Sequence, residues 1–132
     1  MGKKNGLVLL LALLSGAASA EWSEIAGFDD GMRVFAEPAT LRRNGEQAEL
    51  THLVRWPEAQ IEPGVPAYRS TVVRSLYDCA ARRQKYLGSS SYAGVMGNGA
   101  RVAVDGHEAE RWDTVSEDSM EEKLWQIACG AR

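Results

Sequence analysis

Cysteine and histidine are scarce in this sequence, and beyond its first twenty residues no apolar run is long enough to matter to a membrane. The 132-residue chain holds two cysteines, two histidines, two phenylalanines and four prolines. No C-x-x-C pair occurs, which excludes a redox dithiol of that type and a C-x-x-C-H haem attachment. No stretch reaches the roughly 20 consecutive apolar residues that a membrane-spanning helix needs. A surplus of positive charge is also missing: 15 basic residues face 18 acidic ones, a net charge of −3. A nucleic-acid partner is therefore not expected, because such proteins neutralise phosphates with a basic face. No internal repeat, linker or low-complexity tract follows the first twenty residues.

The chain does carry an address. Lys3 and Lys4 precede an apolar block at residues 7–14, and Ala18-Ser19-Ala20 precedes Glu21. Basic start, short apolar run and small-residue site are the layout of a cleavable secretory signal. The expectation is a signal over residues 1–20 and one exported domain over 21–132, periplasmic or secreted. No cysteine stands at the cleavage point, so a lipid-modified N-terminus is not expected. Cleavage leaves 112 residues with 13 basic and 18 acidic side chains, a net charge of −5. A domain of that length buries its own core.

Two cysteines in an exported domain most simply form one disulfide, Cys79–Cys129. Closing a loop of about 51 residues stabilises the fold by roughly 4 kcal/mol through loop-closure entropy. Two buried thiols, or one thiol kept for a partner chain, are the alternatives.

Strand signals fill most of what remains. Residues 32–36 read as a short strand broken by Glu37-Pro38, since proline removes a donor and restricts its predecessor. Asn44-Gly45 is a hairpin signal. From Gln47 to Trp56 the pattern alternates, with Ala48, Leu50, His52, Val54 and Trp56 on one face, and Pro57 is expected to end that strand. Residues 58–67, with Pro63, Gly64 and Pro66, read as a surface loop. Residues 71–79 form a good strand. Residues 80–87 stay undecided: Ala80 to Lys85 are helix formers, while Tyr86 and the serines up to Tyr92 favour strand. The glycines at 94, 97 and 99 mark a turn before a strand at 101–104, and 112–115 is another strand. Ser119 and Glu122 have capping-box spacing, and Met120, Leu124, Ile127 and Ala128 form one stripe of a terminal helix. Strands followed by one helix point to α+β, an antiparallel sheet with a helix on one face.

The order of these pieces resembles the surface-adhesin protein E family of exported proteobacterial proteins. The matching features are Leu41-Arg42-Arg43-Asn44-Gly45, Arg69-Ser70, Leu76-Tyr77-Asp78-Cys79, Arg82-Arg83, Tyr92, Met96-Gly97-Asn98-Gly99, Trp112 and Ile127-Ala128-Cys129. The resemblance implies about six antiparallel strands, a C-terminal helix tied to the sheet by the disulfide, and strand rather than helix over 80–92. It also implies a protein-binding role, since family adhesins bind host matrix and serum proteins and can form dimers.

No residue set specifies a reaction. A Ser-His-Asp relay would have to use His52 or His107, yet no nucleophile-elbow motif accompanies either. Asp105, His107, Glu108 and Glu110 lack a recognised metal-ligand spacing, and neither a metal nor another cofactor is expected. The glycines at 94, 97 and 99 do not follow a dinucleotide or P-loop order. Arg82, Arg83 and Lys85, together with Arg42 and Arg43 if their strands pair, could form a basic strip for an acidic partner. A solvated strand face explains the same charges. Trp125, one position off the helical stripe, belongs at a rim. The reading is a non-enzymatic exported protein-binding module, with a possible homodimer. The rival is a periplasmic structural or stress-related envelope component without adhesion.

Overall fold

The computed structural model describes residues 21–130, so the predicted signal at 1–20 lies outside the described residues. The chain folds as an up-and-down meander: β1 (Ser23–Gly27), β2 (Arg33–Asn44), β3 (Gln47–Glu62), β4 (Val65–Asp78), β5 (Arg83–Tyr92) and β6 (Arg101–Asp105) pair in sequence order. Every pairing is antiparallel. A two-residue strand, β7 (Asp113–Thr114), also pairs with β5 and makes seven strands among the described residues. β6 covers Ser89 to Tyr92, β7 covers Arg83 and Gln84, and between them Ala109 N donates to Tyr86 O at 2.9 Å. Together they act as one interrupted strand that protects the edge of β5.

The prolines expected to stop strands instead bend them. β2 runs through Pro38, with the register shifting between Glu37 and Arg42. Thr40 Oγ1 bridges the gap, donating to Glu37 O at 2.7 Å and accepting from Thr51 N at 3.0 Å. β3 likewise passes Pro57, with its shift between Arg55 and Gln60. A proline forfeits only its own donor, and a bulge absorbs that loss. Residues 58–67 are thus not a loop. They form the far end of the β3–β4 hairpin, with Gln60 opposite Tyr68, Glu62 opposite Val65, and Pro63-Gly64 turning the chain. At the β2–β3 end, Asn44 pairs with Gln47, so the two-residue turn is Gly45-Glu46 with Gly45 at φ +62°. Glycine at the first central position suits a hairpin turn because no Cβ opposes that φ.

The undecided segment resolves into a turn at 79–82 followed by β5. Asp78 Oδ1 accepts from Ala80 N at 3.0 Å and from Ala81 N at 3.2 Å, which bends the chain before a helix can begin. The ladder with β4 then holds Arg83 onward as strand, against its local helix propensity.

One face of the sheet carries the helix α1 (Met120–Cys129). Ser119 caps it by accepting from Glu122 N at 3.1 Å, while Glu122 Oε1 accepts from Asp118 N at 3.2 Å, one residue earlier than a capping box requires. Leu124, Ala128 and Cys129 are buried against Ala36, Ala48, Leu50, Tyr77 and Cys79, with Met120 and Ile127 partly buried beside them. The Cys79–Cys129 disulfide, with Cα atoms 5.4 Å apart, fastens the end of α1 to the end of β4. A ten-residue helix is marginal alone, so packing and crosslink are what hold it.

The opposite face has a smaller apolar patch. Leu53 and Phe35, paired across β2 and β3, are buried there. A 3-10 turn at Val95–Gly97 lies over Leu53, and Ser70 Oγ pins it by donating to Gly94 O at 2.7 Å and accepting from Gly97 N at 2.9 Å. A Cβ on Gly94 would meet Asn98 O at 2.8 Å, so this turn closes only around glycine.

Candidate functional site

Asp78 ends β4 and faces Arg83 across the hairpin. Its Oδ2 accepts from Arg83 Nε at 3.0 Å and Nη2 at 2.7 Å, a two-pronged grip that fixes the guanidinium. Those bonds, with the amides of Ala81 and Ala80, hold the Asp78 carboxyl below the usual carboxylate range. The fixed guanidinium lies over the Trp112 ring, 4.9 Å from its centroid. Lys85, two residues along the same face of β5, places its Nζ 4.9 Å from that centroid. One indole thus carries two cations, an arrangement stabilised by the ring's negative face.

The second half of the predicted strip is organised around α1. Arg82 pairs with Glu122 and sits 5.1 Å above the Trp125 ring. Trp125 is partly buried at the edge of the core, and its Nε1 donates to Asp78 O at 2.9 Å. Arg43 turns to the helix side, donating from Nε to Gly45 O at 2.9 Å and from Nη1 to Cys129 O at 3.3 Å. Arg42 points to the other face, where it pairs in register with Glu49.

β2 and β5 do not pair: β3 and β4 lie between them. Arg42 and Lys85 nonetheless occupy one row, through Glu49 and Leu76, about 14 Å apart at three strand spacings. The predicted residues therefore separate into Arg42, Arg83 and Lys85 on the open face and Arg43, Arg82 and Trp125 on the helix side. Trp112 and Asp78, which organise the open-face group, were missed by sequence reasoning. Asp78 and Arg83 flanking a four-residue turn were the available signal; Trp112 gave none, being joined to β5 only by the fold.

The chemical candidates separate as well. His52 is buried, and its Nδ1 has no partner among the described residues. Burial pushes its imidazole down to about 4. His107 is fully exposed, 3.5 Å from Asp105 Oδ1. Among the described residues, no group of three or more His, Cys, Asp or Glu side chains could hold a metal ion. No helix among them is long and apolar enough to cross a membrane.

Residues 22–130 match the family model described as surface-adhesin protein E. The chain belongs to the surface-adhesin protein E family. Its fold matches solved structures of Haemophilus influenzae protein E. The selenomethionine form aligns with a TM-score of 0.63 and 14% identity over 85% of this chain and 92% of that one. A second crystal form gives a TM-score of 0.62 and 15% identity over 73% of this chain and 79% of that one. The protein from a non-typeable Haemophilus influenzae gives a TM-score of 0.60 and 14% identity, with 84% and 85% covered. No individually curated protein matches. At such identity the likeness establishes the fold, and the family match establishes the family.

Proposed function

We propose that this chain is an exported, non-enzymatic module that binds a host matrix or serum protein through an acidic segment of that partner. The observation that supports it is Lys85 on Trp112: an ammonium held by an indole beside an immobilised guanidinium, with no carboxylate paired to it among the described residues. Arg83 has committed Nε and Nη2 to Asp78, so Lys85 and Arg42 supply most of the unspent charge at this end of the open face. An extended acidic segment crossing β3 and β4 would meet both. Export rests on the signal pattern at residues 1–20, with the partner met outside the cell.

The test is capture by the immobilised mature chain from host matrix extract and, separately, from periplasmic extract. Capture from matrix, lost with Arg42→Glu/Lys85→Glu, is expected. Capture from periplasmic extract alone would make the chain an envelope component instead, and capture from neither would remove the binding role.

A further inference from the structure

At the far end of the sheet from Lys85, a groove of about 680 Å³ opens between the start of β2, the bulge of β3 and the middle of the 3-10 turn. Three arginines line it: Arg33, Arg55 and Arg69. Phe35 and Met96 supply apolar wall, while the Trp56 indole is engaged on the Val54 face, where its Nε1 donates to Thr71 Oγ1 at 3.1 Å. Glu24 is the one acidic side chain in the lining, and it is spent on Arg33, whose Nη1 donates to its two oxygens at 2.9 and 3.1 Å.

Charge here is arranged against the needs of the fold. Arg33 and Arg55 stand directly opposite each other across β2 and β3, and like charges at opposed positions of an antiparallel pair are destabilising. The Arg55 side chain makes no hydrogen bond or ion pair among the described residues. Arg69 donates only one long bond, Nη2 to Pro57 O at 3.4 Å, and its Nε is buried without an acceptor. Three guanidiniums offer about fifteen N–H donors, in forks that match a carboxylate or phosphate. The protein answers few of them.

We infer that this groove binds a small molecule bearing an oxyanion, a carboxylate or a phosphate, on an apolar body. The guanidiniums of Arg55 and Arg69 take the oxyanion, and Phe35 and Met96 take the apolar part. The volume suits such a ligand, since small-molecule sites run to about 300–1,000 Å³. Arg33 is held in reserve by Glu24.

Titration of the mature, disulfide-intact chain with hexanoate, hexyl phosphate, 1-hexanol and inorganic phosphate, followed by NMR at the Arg55 Nε–H and the Met96 methyl, tests the assignment. Hexanoate or hexyl phosphate should shift both signals at concentrations up to about 10 mM, and whichever binds tighter names the oxyanion. Hexanol and phosphate, each lacking one half of the ligand, should bind at least about tenfold more weakly. Arg55→Gln should weaken binding about tenfold, and Arg69→Gln likewise. Glu24→Gln, which releases Arg33 without removing an arginine, should strengthen it, a gain that loss of folding cannot mimic. Equal shifts with hexanol, no shift with either anion, or affinity unchanged in Arg55→Gln would each overturn the inference.

Discussion

His52 shows what burial costs a single side chain. It lies on the alternating apolar face of β3, 7% exposed, so its neutral form is the one the fold accepts. In the unfolded chain the imidazole protonates near its ordinary value of 6.5, whereas in the fold it does so only near 4. Between those values the unfolded state binds the extra proton, so stability rises with pH across the window. The contribution is complete above about pH 6.5, falls by roughly 3 kcal/mol on going down to pH 4, and does not change further below that. His52→Leu should flatten the melting temperature against pH between 6.5 and 4; an unaltered slope would assign it elsewhere. Asp78 acts in a lower window. Its folded value is depressed, so its stabilisation is present above the unfolded carboxylate value and is lost as pH falls through the folded one. Asp78→Asn should cost about 1–2 kcal/mol by chemical denaturation, because Arg83 is only half sheltered and solvent screens the pair.

Elements behave as their caps and crosslinks dictate. Much of this was legible beforehand: the alternation of Ala48, Leu50, His52 and Val54, the stripe Leu124 and Ala128, and the Ser119 cap each reflect local periodicity or local hydrogen bonding. Pro38 and Pro57 misled, because strand continuity past them depends on bulges and on Thr40, which bonds both its own strand and β3. Leu53 misled too: it falls on the polar side of the alternation, yet the Val95–Gly97 turn buries it. Ser70→Ala should release that turn, seen as faster hydrogen exchange at the Gly97 amide with the rest of β4 protected; uniform exchange would deny the pin. For α1 the decisive link is covalent. The double change Cys79→Ser/Cys129→Ser should lower stability by roughly 4 kcal/mol and reduce helical circular dichroism. An unchanged melt would mean that packing by Leu124 and Ala128 holds the helix alone.

Taken whole, the molecule is a sheet with one face closed by a clamped helix and one face left open, cationic at both ends. The basic residues were visible in sequence, but their division was not. Arg42 and Lys85 share a row only because β3 and β4 stand between their strands, and Arg33 meets Arg55 only through the β2–β3 register. Linear order carries no sign of either relation. The two ends make separable predictions: the Lys85 end binds an acidic protein segment, and the Arg55 end binds a small oxyanion. The most direct measurement is adhesion of beads coated with the mature chain to a layer of host matrix, at low and at physiological salt. Wild-type and Arg55→Gln beads are predicted to adhere alike, and Arg42→Glu/Lys85→Glu beads to be retained about tenfold less, with the difference shrinking as salt screens the charges. Absence of adhesion by the wild type, or equal retention of the charge-reversed beads, would contradict the account.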